Sequence, residues 1–409
     1  MFSCCFNAAN VVRAKKESQS HQLASSSTRA AACAASADAV ATKSGTAKVN
    51  TDDDGKRTNV LIIGDGRLGT WLAVQFALCT TTARDSNHSS SNNRYDKMNV
   101  YLKARKREAR DSSRSASKEP GEYLIKKHDV RRIESYEDTN DDNSIDRATE
   151  KKKKKKKKNE YYFDYVFVTV KTYAFESVKR EIDESGVKIG TAVMLHNGIV
   201  KPLFEDVYEN GKYIPCVIPQ SYDFVKVEDE EGAFEIHVKN AEKPWAMADT
   251  AASREVHELL KSIGANSKPD EDFEYTLLRK YFINCVANLL SIVGNCNCDG
   301  LLDTPLLMQR MERLYSEMFV ALEQSHEKGF AKMPKDFKAV VFDGLRSYGK
   351  HFPSTKLDFD SGAPLEIDSL NGYVCLRARE NNAPCIEHEL LIEEVKNLVK
   401  LRDAKDRNQ

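Results

Sequence analysis

Residues 59–79, NVLIIGDGRLGTWLAVQFALC, constrain the fold of this chain more than any other stretch. An apolar run ends at Ile63, glycines follow at 64, 66 and 69, and a second apolar run leaves the last of them. Three glycines at this spacing allow a tight turn, a close backbone approach and close helix–strand packing. A helix opening there presents free N–H groups and positive potential, which together cradle the pyrophosphate of a dinucleotide. From the six residues alone, a plain strand–turn–helix is the alternative. Asp65 is out of keeping, because it puts a carboxylate where a phosphate should approach. The expectation is that its side chain turns away while its backbone serves the phosphate, with Arg67 offsetting the charge.

The rest of the chain extends this unit. Strands are expected at 59–64, 98–104 and 163–171, where FDYVFVTVK is rich in valine, and at 191–198, 214–219 and 233–239, with helices at 68–79 and 174–184. Strands alternating with helices imply a parallel, doubly wound sheet. From about residue 251 the apolar period becomes helical and stays so, giving helices at 251–263, 271–293, 304–328, 335–347, 364–382 and 386–402. The fold class is therefore an α/β nucleotide-binding domain over 58–248 followed by an all-α substrate domain over 249–409. Polar insertions at 80–97 and 107–160 interrupt the first domain, the second holding a short strand at 122–125. Residues 1–57, rich in Ala, Ser and Thr, read as a disordered extension. The basic, serine-rich start of that extension would suit an organellar transit peptide; otherwise a cytoplasmic protein is expected.

Charge narrows the possible partners. The formal net charge is zero, but residues 151–158 are eight consecutive lysines, so the remainder carries −8. That argues against a nucleic-acid surface, and no apolar window is long enough to span a membrane. The ten cysteines form no C-x-x-C pair, and read as free thiols rather than disulfides or a metal site.

Polar residues on apolar elements mark candidate chemistry. The second strand ends in basic residues, Lys103, Arg105, Lys106 and Arg107, with no acid before Glu108. Cations there suit the 2′-phosphate of NADP(H) rather than the ribose hydroxyl of NAD(H), unless they form a solvated loop. Lys171 and Asn197 end neighbouring strands at the carboxyl edge of the sheet, where such folds bind ligands. In RKYFINCVANLLSIVGN, Lys280, Asn284 and Asn288 share one face of an apolar helix, either as a buried polar network or as the lining of a site. A lysine in such surroundings loses proton affinity and moves toward general-acid duty. In FPSTKLDFDSGAPLEIDSLNG, Ser354, Asp358, Glu366, Asp368 and Asn371 could reach inward. Glu366 and Asp368 could equally be acids complementing a helix dipole.

Taken together, NVLIIGDGRLG, VFVTVK, LHNGI, RKYFINCVANLLSIVGNCNCDGLL and PSTKLDFDSGAPLEIDSLNGYVCLRARENN resemble the ketopantoate reductase (2-dehydropantoate 2-reductase) family, in the family's order and over 58–402 apart from the insertions. The resemblance implies a Rossmann-type domain with Gly64, Asp65, Gly66, Arg67, Leu68 and Gly69 on the NADPH pyrophosphate, and Lys103 or Arg105 on the 2′-phosphate. It implies that Lys171 and Asn197 contact the cofactor and bridge it to the substrate. Lys280 would protonate the substrate carbonyl, Asn284 and Asn288 would orient the substrate, and Ser354 would bind its carboxylate. Glu366 would orient both the substrate and the lysine. Two positions depart from the pattern: His351 stands where an asparagine is frequent, and Lys356 where an apolar residue is usual. The implied activity is NADPH-dependent reduction of ketopantoate to (R)-pantoate, by a monomer or homodimer with a small 2-oxo acid as partner. Reduction of another branched 2-oxo acid, or a non-catalytic NADP-binding regulator, are the alternatives.

Overall fold

The computed structural model describes residues 57–85, 98–104, 120–128, 130–133, 161–228, 232–325 and 327–406. β1 (Thr58–Ile63) runs into the glycine turn and α1 (Arg67–Asp85) leaves it. β2 (Met98–Lys103), α2 (Pro120–Lys127) and β3 (Arg131–Ile133) follow. Then come β4 (Tyr162–Val168), α3 (Phe175–Ser185), β5 (Lys188–Met194), α4 (Glu205–Glu209) and β6 (Tyr213–Val217). The first six strands lie in the order β3-β2-β1-β4-β5-β6, all parallel, which is the doubly wound arrangement of a Rossmann-type domain. β4 is built from Val, Phe and Tyr because helices cover both faces of the sheet, leaving it no solvent side.

The same sheet continues past β6. β9 (Trp245–Ala248) pairs antiparallel with β6, and β10 (Ser267–Asp270) pairs parallel with β9. Between them α5 (Ala251–Ser262) opens on a capping box made by Thr250 and Ser253, and buries Val256, Leu259 and Leu260 in the sheet's core. The α/β part therefore reaches Asp270, beyond the expected boundary near 248, and the helical run from 251 begins as part of the sheet layer. β7 (Ser221–Lys226) and β8 (Phe234–Lys239) form a separate antiparallel hairpin.

The all-helical part starts with α6 (Phe273–Val293), a helix so apolar around its circumference that only a central, buried position suits it. Around it stand α7 (Cys298–Asp303), α8 (Pro305–Leu322), α9 (Glu327–Phe330), and α10 (Asp343–Tyr348), which continues a π-helical turn over Lys338–Phe342. α11 (Ser354–Asp360), α12 (Asn371–Glu380) and α13 (Ile386–Asp406) complete it.

Two segments differ from the sequence expectation. The tract 122–125, expected as a strand, lies in helix α2, and β3 follows it, so the third strand of the sheet comes from inside what the charge pattern presents as an insertion. The helix expected over 364–382 begins only at Asn371, which leaves Glu366 and Asp368 in the connection ahead of it rather than in its first turn. Arg105, the lysine run and residues 1–56 lie outside the described residues.

Candidate active site

The strand order reverses between β1 and β4, and the carboxyl ends of these strands open onto a cavity of about 600 Å³. Its walls come from the glycine turn, the ends of β4 and β5, the segment entering β7, and the inward faces of α6, α10 and α11.

At the turn, each glycine has its own reason. Gly64 sits at φ +115°, and a Cβ on it would come within 2.6 Å of the Thr169 hydroxyl. Gly69 packs the helix against the turn so closely that a Cβ would lie 1.9 Å from the Gly64 carbonyl oxygen. At Gly66 a Cβ would meet nothing within 4 Å, so the backbone is bare toward the cavity. The first backbone bond of α1 runs from the Thr70 N–H to the Gly66 carbonyl (2.9 Å), leaving the earlier N–H groups to the crevice. A tight turn, bare backbone and a helix N-terminus without an acid in its first turn fit a dinucleotide pyrophosphate. Gly69→Ala is expected to cost about 1–3 kcal/mol by overpacking against backbone that cannot yield, read as a lower denaturant midpoint.

Asp65 lines the cavity, and its carboxylate lies 3.4 Å from the guanidinium of Arg132 on β3. Arg67 is engaged elsewhere, 3.4 Å from Asp223 on the hairpin, where Lys239 also pairs at 2.8 Å. The offsetting cation is thus Arg132 rather than Arg67. Lys103 also departs from expectation. It is 3 % exposed, with its ammonium 2.8 Å from Glu181 on α3, and that burial takes it out of the set facing a 2′-phosphate.

The two lysines at the strand and helix ends have opposite environments. Lys171, just past β4, places its ammonium 2.9 Å from Asp358 on α11 and 3.2 Å from Glu366. Burial works against that ammonium, but the two carboxylates outweigh it and hold its pKa above the ordinary lysine value. Lys280 on α6 donates to the Ile218 carbonyl at 2.8 Å and, among the described residues, pairs with no carboxylate. Burial pulls its pKa down to about 8; the nearby Lys171 cation acts in the same direction, and the through-space pull of Glu366 opposes it.

Glu366 is almost fully buried. One carboxylate oxygen accepts from the Thr172 backbone N–H (3.1 Å) and hydroxyl (3.3 Å), the other from Lys171. Its direct partners are therefore Lys171 and Thr172, with Lys280 reached only electrostatically. The segment carrying it is fixed to α6, since the Tyr281 hydroxyl donates to the Leu370 carbonyl (2.7 Å) and the Asn371 amide to the Cys285 carbonyl (2.7 Å). Beneath Asn197, Gly198 (φ +84°) lies so close to Ser369 that a Cβ would sit 2.4 Å from its carbonyl oxygen. That contact seats the end of β5 against the helical part.

Asn284 and Asn288 line the same cavity as Lys280, as the four-residue spacing requires. Among the described residues neither side-chain amide has a hydrogen-bond partner, which suits groups meant for a ligand. Ser354, at the start of α11, and Asn197 also line it. His351 and Tyr348 form part of the wall, whereas Lys356 is buried away from it, its ammonium 2.5 Å from Asp360. Sequence reasoning passed over Thr172, Arg132, Tyr348 and Gln220. Thr172 adjoins Lys171 directly, and Arg132 stood in a strand read as insertion.

Residues 272–399 match the family described as "Ketopantoate reductase PanE/ApbA C terminal". A curated relative, 2-dehydropantoate 2-reductase from Aquifex aeolicus, is 24% identical over 252 residues, covering 59% of this chain and 79% of that protein. The same-named protein from Shigella flexneri is 24% identical over 213 residues, 45% of this chain and 68% of its own. Among solved structures, a PanE/ApbA family ketopantoate reductase from Ralstonia eutropha superposes with a TM-score of 0.59 at 15% identity, covering 85% of this chain and all of that one. D-mandelate dehydrogenase in a ternary structure with NADH and anilino(oxo)acetate gives 0.55 at 15% identity, over 84% of this chain and 98% of its own. Those structural likenesses establish a shared fold. Residues 272–399 thus match the C-terminal domain of ketopantoate reductases, the curated relatives at 24% identity carry that name, and the fold is the one shared with these solved structures.

Proposed function

We propose that this protein reduces a 2-oxo acid with NADPH, and that the acid is 2-dehydropantoate, giving (R)-pantoate. The observation that carries the reading is the pair of lysines driven to opposite proton affinities in one cavity, because divergent environments assign different roles. Lys171, locked to two carboxylates, is a fixed cation that positions ligand. Lys280 is a cation able to give up its proton.

The reduced nicotinamide, when bound, supplies the hydride to C2 of the substrate. What this chain adds is binding, orientation and a proton. Negative charge growing on the carbonyl oxygen is met by the Lys280 Nζ–H, which neutralises it and becomes the neutral amine. Asn284 and Asn288 offer unengaged amide donors along the same helix face, and Ser354 a hydroxyl for the substrate carboxylate. Asn197, just past the end of β5, lines the same cavity.

NADP(H) is favoured because β2 ends in Lys103–Ala104 with no carboxylate for a ribose hydroxyl, and because Arg132 brings a cation to the turn. Arg132→Ala is expected to weaken NADPH about 3–10-fold, and Asp65→Asn to strengthen it by a similar factor, since a partly exposed charge pair is worth at most about 1 kcal/mol. Titration of cofactor fluorescence would measure both. Unchanged affinity in both variants would make the pair a bystander.

The apolar and aromatic wall formed by Leu345, Tyr348 and Ile283, with His351, favours one second reading: a bulkier branched or aromatic 2-oxo acid as substrate. The deciding experiment is cofactor oxidation with a panel of 2-oxo acids, with NADPH and NADH side by side. Highest kcat/KM for 2-dehydropantoate with NADPH supports the first reading. Preference for another acid sinks it, and no turnover of any acid removes the enzyme reading altogether.

A further inference from the structure

Within the helical part, a second cluster of reactive side chains lies outside the crevice and contributes nothing to it. Glu317 on α8, Cys385 just ahead of α13 and His388 in the first turn of α13 bring one donor atom each to within 4.8 Å of one another. Cys375 on α12 adds a sulfur 3.4 Å from that of Cys385. All four are sequestered: His388 is 0 % exposed, Cys375 3 % and Cys385 7 %, and the Glu317 side chain 15 %.

We propose that Glu317, Cys385 and His388 are the ligands of a site for one zinc ion, with the Cys375 thiol beside the Cys385 sulfur. The donor set is the first argument. Thiolate, imidazole and carboxylate together suit zinc, whereas calcium and magnesium take oxygen alone. The spacing is the second. Zinc bonds of about 2.0–2.3 Å in a tetrahedron hold the donors about 3.3–3.8 Å apart. Here Glu317 Oε2 lies 3.0 Å from His388 Nδ1, a hydrogen-bond spacing that has to open by only about 0.3 Å to reach that range, and the three donor atoms already lie within 4.8 Å of one another. Cys385 and His388 also sit three residues apart at a helix start, so a single turn presents both.

His388 Nε2, on the far side of the ring from Nδ1, is buried without a hydrogen-bond partner among the described residues, so the ring is held from the Glu317 side alone. The third argument is charge. The Glu317 carboxylate and the Cys385 thiolate together neutralise a divalent ion, so the buried site carries no net charge, and the displaced thiol proton leaves to solvent. Glu317 is already oriented, its Oε1 accepting from the Glu387 backbone N–H at 2.8 Å and its Oε2 from the His388 N–H at 3.1 Å. Such support from neighbouring donors is what fixes a ligand in a metal site. The ion would clip the α12–α13 corner to α8, and the Arg310 and Arg313 contacts to Glu387 brace the same corner from outside.

The test uses the full chain, reduced and stripped with a chelator, titrated with Co²⁺ alone as a spectroscopic probe. The expected result is one equivalent bound, with intense thiolate-to-cobalt absorption in the near ultraviolet and tetrahedral bands in the visible, all lost on adding Zn²⁺. Cys385→Ser and His388→Asn should each lower the affinity at least about tenfold, and Zn²⁺ should raise the melting temperature of the wild type but not of Cys385→Ser. Should His388→Asn not fold, Glu317→Gln supplies the second variant, expected to lower the affinity by a similar factor. The proposal is overturned if the reduced wild type takes up no stoichiometric cobalt, if the spectrum is octahedral without charge transfer, or if Cys385→Ser binds as tightly as wild type. A mass two units low, showing a Cys375–Cys385 disulfide in protein that binds no metal after reduction, would overturn it as well.

Discussion

Lys280→Ala is expected to lower kcat by about 10²–10⁴-fold, the range a positioned general acid contributes, while leaving NADPH affinity close to that of the wild type. The split follows from placement, since the Lys280 ammonium is held by the Ile218 carbonyl and not by any group of the glycine turn. The pH profile carries the sign. Only the protonated lysine can donate, so the reductive kcat is highest below the Lys280 pKa of about 8 and declines as pH rises through it. A lysine at its ordinary value would place that limb well above pH 9. Lys280→Arg discriminates further, because a guanidinium keeps the charge but does not release its proton, so turnover should stay low. Wild-type turnover in Lys280→Ala, or a flat profile through pH 9, would remove the lysine from its role.

Glu366→Ala is the second large effect, and it should be felt in both stability and turnover. The substitution strips the acceptor from the Thr172 N–H and hydroxyl and one of two counter-charges from Lys171. A cost of about 2–3 kcal/mol is expected, at the lower end for a buried pair because Lys171 is a third exposed and keeps Asp358. The kcat/KM should fall about 10–100-fold as Lys171 loses its fixed position. Glu366 also supports the protonated form of Lys280 from a distance, so its removal should shift the alkaline limb of the wild-type profile toward lower pH. Glu366→Gln separates the two roles. An amide oxygen can still accept from Thr172, so most of the stability should return while the pH shift persists. Identical losses in Ala and Gln, with no shift in the limb, would reduce Glu366 to packing.

Much of this was legible in the sequence because periodicity reports burial. The β1–turn–α1 unit, β4 and the polar stripe on α6 are dictated by residues within a few positions of one another, and local physics places them as expected. What local pattern could not carry was partnership across distance. Lys103 reads as a free cation at a strand end until Glu181, on helix α3 far along the chain, claims it. Asp65 reads as a misfit until Arg132, from a strand hidden between charged tracts, comes alongside. The helix start at Asn371 was misjudged because PLEID reads as a good first turn, whereas tertiary contacts to Lys171 and Thr172 hold Glu366 in the connection. The extra strands β9 and β10 are too short for their alternation to register.

The link between Lys171 and its two carboxylates has a consequence for exchanging parts between proteins of this fold. The lysine is contributed by the α/β half, and Asp358 and Glu366 by the helical half. A chimera joining this helical half to a foreign sheet domain therefore inherits two converging negative charges and depends on the donor for the cation. A donor with a neutral residue at the end of its fourth strand would leave those carboxylates repelling each other in a partly buried space, and the graft should assemble poorly however well each half folds. Compatibility between the halves thus depends on this position as well as on the Gly198–Ser369 and Lys280–Ile218 contacts, and grafting the lysine along with the helical half is what would relieve the repulsion.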